Sequence, residues 1–305
     1  VRLEAVRGVA YSPNSESELM TAQTEAPDKT ELLASRAQNP KRIETAMLVT
    51  DQQTDRFIDY AVWLTARDLA DSWIPAFQSG DVDFDGNVSH LLAAFAAVGQ
   101  GAPVDTLLKQ MYARETTATQ RSQVIDLVTS TGNPAQLKAL VLAAISNNDA
   151  APIRRALAES RRRKLVIPVS GAELDPARKS ESTTLRAAAL VAQGQWKLNG
   201  YLRELFEIVL SSEAPLSDRM AAMEGLFFSG DVNIDQRLVG VARGSEHPMA
   251  LRKHAAALIA GRKPRLGAKV VVELFPQMKA DDGPQDLVRT FMIVKGGDAI
   301  LAKSL

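Results

Sequence analysis

Apolar residues recur along the chain at the spacing of one helix face, and an arginine stands near the start of each recurrence. The recurring arginines, at intervals of 33, 32, 33 and 33 residues, are Arg121, Arg154, Arg186, Arg219 and Arg252. Three positions after them stand Val124, Leu157, Ala189, Ala222 and Ala255. The last three copies continue four positions after the arginine with Leu190, Met223 and Ala256, and seven positions after it with Gln193, Leu226 and Ile259. This spacing predicts helices that each bury one face.

A second apolar segment follows the later arginine-led segments. Its central residues, also 33 residues apart, are Leu205, Leu238 and Val271. Two helices and two turns in 33 residues make a helical-repeat unit. Short connections make the helices antiparallel, and because one pair cannot bury its apolar face alone, the pairs must stack. We therefore predict an all-α chain folded as one α-solenoid, an α-α superhelix, over residues 1–305.

The repeat class follows from the period and from missing signatures. The Thr-Pro-Leu-His signature of ankyrin repeats and the Trp, Gly-Tyr and Pro pattern of tetratricopeptide repeats do not occur. Standard HEAT units are roughly 40–47 residues long, so the arginine-led Ala/Leu helices are similar to short HEAT/armadillo-like repeats. We expect regular repeats over 81–280, a terminal helix pair over 281–305, and less regular repeats over 1–80.

The amino-terminal region departs from the repeat in two places. The first segment fits the frame with Arg2, Ala5, Val6 and Val9, but residues 13–40 form a polar insertion. A long helix is then predicted from about Asp55 to Ala70. Its apolar residues on one face are Phe57, Tyr60, Ala61 and Leu64. The three tryptophans, expected to pack at helix junctions, are Trp63, Trp73 and Trp196.

Composition narrows the classes of partner and cofactor. Lysine plus arginine and aspartate plus glutamate each total 36, and this balance argues against a nucleic-acid binder, which needs excess positive charge. The chain has 0 cysteines, which excludes disulfides, thiolate zinc sites and c-type haem attachment in this sequence. No apolar run approaches the roughly 20 residues that span a bilayer. We therefore expect protein partners or neighbouring domains of the same chain.

Several stretches carry a family resemblance. They are DRFIDYAVWLT (55–65), SWIPAF (72–77), RRRKLVIP (161–168), LRAAAL (185–190) and WK (196–197). Together they resemble the HEAT-repeat middle region of large planctomycete-type putative membrane-bound dehydrogenase and haem-binding proteins. In that family a dehydrogenase-like β-propeller precedes the repeats, a cytochrome c domain follows them, and the proteins are typically exported. The resemblance implies a spacer or docking scaffold in the periplasm or outside the cell, with haem only in an adjacent domain, and it carries over no catalytic or haem residue.

An acidic loop offers one candidate metal site. Its carboxylates, at the first, third and fifth positions of an EF-hand-like calcium loop, are Asp81, Asp83 and Asp85. Gly86 fits the tight turn, but the twelfth position holds Leu92 in place of a bidentate glutamate. A similar Gly-Asp sequence recurs at 228–235. We interpret both as turns in which glycine ends one helix and Asx side chains begin the next, with calcium as the alternative.

A basic cluster is the candidate partner-binding site. Its residues are Arg154, Arg155, Arg161, Arg162, Arg163 and Lys164. Such a cluster binds an acidic partner or a phosphate. The alternative is that the arginines complement a helix C-terminus and cover apolar surface with their stems.

No catalytic constellation is recognisable. The three histidines, His90, His247 and His254, lie far apart and show no His-Glu-x-x-His spacing. Neither a Gly-x-Ser-x-Gly nucleophile elbow nor a Gly-rich phosphate loop occurs. We predict that the chain has no catalytic or cofactor-binding residue and is not an enzyme.

Three functions remain open at this point. The first is a non-catalytic scaffold excised from a larger exported redox protein, an expectation that also reflects the start at Val1 without an initiator Met or signal peptide. The second is a free-standing solenoid that binds a protein on a concave face lined by the second helices. The third is an enzyme on a HEAT-like array, similar to alkylpurine glycosylases or phycobilin lyases. The first is preferred.

Overall fold

Helices account for all regular structure in the part of the chain that is described. A computed structural model describes residues 39–99, 104–112 and 116–305, and every regular element in these ranges is helical. The prediction of an all-α chain is confirmed for these residues. Contacts divide the chain into two compact units, with the boundary between Leu140 and Val141. The segment predicted to begin at Arg2 and the polar insertion as far as residue 38 lie outside the described residues.

The first unit contains six helices in its described residues. They are α1 (Arg42–Met47), α2 (Arg56–Asp68), α3 (Ala70–Ser79), α4 (Val88–Val98), α5 (Val104–Met111) and α6 (Ala118–Thr131). Helix α2 contacts α1, α3 and α4, while α6 contacts α4 and α5. Helix α7 (Pro134–Ser146) spans the boundary between the units.

Aromatic side chains form much of the core of the first unit. Trp73 is fully buried, with the ring of Phe84 5.8 Å away and that of Phe95 5.5 Å away between centroids. Its indole Nε1 donates a hydrogen bond of 2.9 Å to the carbonyl of Ala66 in α2. Such pairing satisfies the one polar atom of a buried tryptophan. Trp73 therefore packs at a helix junction, as predicted.

The predicted apolar face of α2 is not the buried one. The buried residues are Ile58, Ala61, Val62, Thr65 and Ala66, so only Ala61 belongs to both sets. Phe57 and Tyr60 are more than half exposed. Trp63 is exposed too, contrary to the prediction for it, and it stacks on Tyr60 with centroids 5.7 Å apart. Small residues on the buried face let α2 pack closely, and the aromatic rings cover the outer face.

Ten helices of the second unit follow one another with short connections. They are α8 (Ala150–Arg163), α9 (Gly171–Arg178), α10 (Thr183–Gln195), α11 (Tyr201–Leu210), α12 (Leu216–Ser229), α13 (Ile234–Arg243), α14 (Met249–Arg262), α15 (Pro264–Leu274), α16 (Gln285–Ile293) and α17 (Gly297–Ser304). Ser170 and Glu173 form a reciprocal capping box at the start of α9. Gly230 ends α12 in the left-handed conformation, with φ of 71°.

Contacts in the second unit join each helix to its neighbours in sequence and to helices two positions away. Helix α10 contacts α8, α9, α11 and α12, and α12 contacts α11, α13 and α14. Further on, α13 contacts α15, α14 contacts α16, and α15 contacts α17. The largest of these contacts is that between α10 and α12.

The recurring arginines share a hydrogen bond that the sequence pattern did not foresee. The Nε atoms of Arg121, Arg219 and Arg252 each donate to a backbone carbonyl ten residues earlier, at 3.3, 2.9 and 3.0 Å. The acceptors, near the ends of the preceding helices, are Met111, Val209 and Ala242. Carbonyls in the last turn of a helix lack an intrahelical partner and attract cations. The residues three positions after each recurring arginine are all buried.

Two arginines of the series behave differently. Arg186 donates through Nη1 to the carbonyl of Ser180 and through Nε to Oδ2 of Asp218, both at 2.6 Å. This second bond is an ion pair between α10 and α12, and only 19% of the Arg186 side chain and 10% of the Asp218 side chain are exposed. Arg154 is exposed and makes no such bond.

Candidate functional site

Four helices of the second unit enclose an open groove with a volume of about 480 Å³, here called the α10 groove. Helix α10 lies between α8 and α12, both of which it contacts, and α14 adds His254 from beyond α12. A cavity of this size falls in the range of roughly 300–1,000 Å³ that holds small molecules or short peptide segments. The first helix of each predicted pair lines the groove.

Small residues on α10 create the space. Ala187, Ala188 and Val191 line the groove on this helix, while the neighbouring helices supply longer side chains such as Met220 and Phe228. From Thr183 to Val191 the groove follows α10 for about 12 Å, at 1.5 Å per residue. Its base is apolar, since Ala188 and Val191 are buried, and its rim is polar.

Arg161 is held in place on the α8 side of the groove. Its Nη1 donates to Oε1 of Gln195, and its guanidinium lies 4.2 Å from the centroid of the Phe228 ring. Gln195 in turn donates to the Leu157 carbonyl at 2.9 Å and to Ser160 Oγ at 2.8 Å. Burial lowers the pKa of Arg161, and the negative charge of Glu224 acts in the opposite direction. Arg161 is therefore a fixed cation whose charge Glu224 partly balances.

A carboxylate and an imidazole lie together on the opposite side. Oε1 of Glu224 lies 3.2 Å from Nε2 of His254. That Nε2 is buried, yet the contact does not have hydrogen-bonding geometry. These groups present a polar edge at the α12 and α14 side of the groove.

Arg154 is the unpaired cation of the groove. It has no hydrogen bond or ion pair to any described residue, and its side chain is exposed. Thr183 and Thr184, the first two residues of α10, line the same groove. Ser182 accepts from the backbone N–H of Leu185 and so caps this helix, but the first backbone N–H groups of α10 remain without an intrahelical acceptor. A free guanidinium and a helix N-terminus therefore favour an anion here.

The structure separates the predicted basic cluster into two groups. Arg154 and Arg161 line the groove. Arg162 pairs with Glu159 at 2.7 Å, and the hydrogen bond from that carboxylate raises the pKa of Arg162. Lys164 ends α8 in the left-handed conformation. The remaining members, which have other partners, are Arg155 and Arg163.

The acidic loop is organised by hydrogen bonds within the protein. Ser79 Oγ donates to Asp81 at 2.7 Å, and Asp83 accepts from the backbone N–H of Asp85 at 3.0 Å. Oε1 of Glu44 accepts from the N–H groups of Asp83 and Phe84, at 3.0 and 2.9 Å. Within the described residues, no group of three or more His, Cys, Asp or Glu side chains is arranged to hold a metal ion.

The histidines occupy three separate environments. The Nε2 atom of His90 is 2.7 Å from Asp51, and Nδ1 of His247 is 3.3 Å from Nη2 of Arg219. Only His254 reaches the α10 groove. Sequence reasoning did not identify Glu224, Phe228 or His254 as groove residues. Their position 33 or more residues from α10 leaves no local signal, although all belong to the arginine-led helices.

No helix among the described residues is both long enough and apolar enough to cross a bilayer. No family model matches this chain, and no curated protein or solved structure is significantly similar to it.

Proposed function

We propose that the chain is a non-catalytic helical-repeat interaction module, and that its second unit is a stack of antiparallel HEAT-like helix pairs that binds a protein segment in the α10 groove. The observation that supports it best is the recurring bond from an arginine to a carbonyl ten residues earlier, in Arg121, Arg219 and Arg252. The same contact at a 33-residue interval is expected of a repeated structural unit.

The contacts in the second unit support a two-layer stack. The arginine-led helices α8, α10, α12 and α14 each contact the next in that series. The intervening helices continue in the same way, from α13 to α15 and from α15 to α17. In a stack of this kind each unit buries its apolar face against its neighbours, which leaves a continuous surface for binding. The groove lies on the first helices, in contrast to the second helices that the sequence analysis favoured.

The groove combines the features of a binding surface. It joins an apolar base with few polar groups at defined positions, which is the usual composition of a ligand site. Its fixed cation Arg161, its free cation Arg154 and the Glu224–His254 edge give it a charge pattern that selects among ligands.

Site-specific photo-crosslinking tests the proposed function. A benzophenone amino acid replaces Ala187 in the groove, and in a control protein it replaces Arg203 on α11, whose side chain is 86% exposed. Both proteins are irradiated in extract of the source cells, and crosslinked peptides are sequenced by mass spectrometry. We expect one recurrent protein segment attached at Ala187 and not at Arg203. Equal labelling from both positions, or none from Ala187, contradicts binding in the groove.

A further inference from the structure

We propose that the α10 groove binds an extended peptide segment in which an acidic side chain pairs with Arg154 and an adjoining apolar side chain packs over Ala187, Ala188 and Val191. This inference rests on the proposed function and names the chemical class of its partner. It follows from the length of the groove, the distribution of charge across it and the position of its apolar base.

The dimensions of the groove fit a short extended segment. It follows α10 for about 12 Å, the eight-residue advance from Thr183 to Val191 at 1.5 Å per residue. An extended chain rises about 3.3 Å per residue, so about four residues fit along it. Its openness to solvent allows a longer chain to enter and leave at both ends, as a peptide requires.

The charges place the acidic side chain of the peptide at Arg154. Arg161 already faces the negative charge of Glu224 and is held by Gln195 and Phe228, so it does not need a further anion. Arg154 has no partner among the described residues. The repeat frame aligns Arg154 of α8 with Arg186 of α10 and so brings it near the first turn of α10. A carboxylate there gains both the guanidinium and the uncapped N–H groups of the helix.

The opposite side of the groove excludes a ligand with dense negative charge. Glu224 repels a phosphate or a second carboxylate placed beside it. The carboxylate and imidazole of Glu224 and His254 instead suit the N–H and C=O groups of a peptide backbone. Between the two sides, the buried surfaces of Ala188, Val191 and Ala221 favour an apolar side chain. One carboxylate flanked by apolar residues is the pattern that meets all three conditions.

Selection from a displayed library of random heptapeptides on the full chain tests this inference. The best peptide is then synthesised with its acidic residue and with the matching amide, Glu→Gln or Asp→Asn. Binding is measured by fluorescence anisotropy. The proteins compared are the wild type, Arg154→Glu, the groove-filling Ala187→Trp, and Lys164→Glu. The last of these makes the same charge change on an exposed residue of the same helix end, outside the groove.

We expect the selected peptides to share one acidic residue beside an apolar one. Exchange of the acid for the amide and the Arg154→Glu change should each weaken binding by about tenfold or more, as loss of a charge-assisted hydrogen bond does. Ala187→Trp should abolish binding, and Lys164→Glu should leave it within about twofold of the wild type. Circular dichroism and melting curves confirm that each variant is folded, and Arg154→Glu, an exposed change, keeps the test valid if Ala187→Trp unfolds.

Three results overturn the inference. They are selection of peptides without an acidic residue, equal binding by the wild type and Arg154→Glu, and no peptide above background. The crosslinking experiment at Ala187 decides the proposed function separately. A crosslinked segment without an acidic residue at the groove retains the interaction module and removes only the assignment of an acidic peptide.

Discussion

Gly194 of α10 and Gly225 of α12 bring the backbones of the two helices into direct contact. A Cβ atom added to Gly194 would lie 2.2 Å from the carbonyl carbon and oxygen of Gly225, and one added to Gly225 would lie 2.6 Å from the carbonyl oxygen of Leu190. No side chain can rotate away to relieve these overlaps, because the atoms met belong to the backbone. The contact therefore fixes the distance between the two helices that border the groove.

Alanine at these glycines should separate the helices. We expect Gly194→Ala or Gly225→Ala to lower the free energy of unfolding by about 1–3 kcal/mol or more through overpacking. The matched control is Gly240→Ala in α13, where an added Cβ meets nothing within 4 Å. That change should be neutral or stabilising by up to about 1 kcal/mol, because alanine favours helix. Equal urea denaturation midpoints for the three variants would show that the close contact does not exist.

The recurring arginine bond predicts a shared cost at two positions. Arg219→Met and Arg252→Met keep an apolar stem but leave the carbonyls of Val209 and Ala242 without their donor. Because both arginines are buried, we expect each change to cost about 1–3 kcal/mol. Arg203→Met, which removes an exposed pair with Glu207, should leave the melting temperature unchanged. If all three variants melt together, the arginine bond is not a stabilising feature of the repeat.

Buried alanines between the helices predict intolerance of larger side chains. Ala222 and Ala255 are fully buried at the positions three residues after their arginines. We expect Ala222→Leu and Ala255→Leu to cost about 1–3 kcal/mol, since added methylenes force neighbours out of their rotamers. Ala158→Leu on the exposed side of α8 is the control and should change the melting temperature little. Unaltered melting of all three variants would mean that the alanines do not lie at close contacts.

Glu44 connects α1 to the acidic loop some 40 residues later. Its Oε1 accepts from the N–H groups of Asp83 and Phe84, next to a buried phenylalanine with φ of 59°. Glu44→Ala should destabilise the first unit by about 1–3 kcal/mol because two donors lose their acceptor. Glu44→Gln should recover part of the loss, since an amide oxygen also accepts. A glutamine variant no better than alanine in thermal melting would contradict this role.

Calcium provides a separate test of the acidic loop. We expect millimolar calcium to leave the melting temperature unchanged, because Leu92 occupies the twelfth position and Asp83 already accepts a hydrogen bond within the turn. Isothermal titration calorimetry on the same protein should show no heat of binding. A calcium-dependent rise in melting temperature that Asp85→Asn removes would establish the alternative.

Sequence patterning predicted the buried positions of the arginine-led helices but not those of α2. In the repeats, Ala189, Ala222 and Ala255 recur at one register, so period and burial agree. In α2 the large aromatic residues drew the prediction to the wrong face. Arg67 lies 4.5 Å from the ring of Trp63, and this contact gives an exposed aromatic residue a favourable environment that hydrophobicity alone does not foresee.

The candidate site was predicted in part. Arg154 and Arg161 were in the basic cluster, but their neighbours Arg155, Arg162 and Arg163 were not separable from them by sequence. Which arginine faces a groove depends on how α8 packs against α10, a property of tertiary structure. The role of the chain as a spacer between redox modules stays a prediction from the resemblance.

The ion pair between Arg186 and Asp218 makes the repeats unequal. Asp218 immediately precedes Arg219, and the equivalent position before Arg252 is Leu251, which is fully buried. Removal of one 33-residue unit would set the guanidinium of Arg186 against that leucine and leave a poorly hydrated charge unpaired. The units are therefore not interchangeable, and the order in which they are joined is written into the chemistry of their junctions.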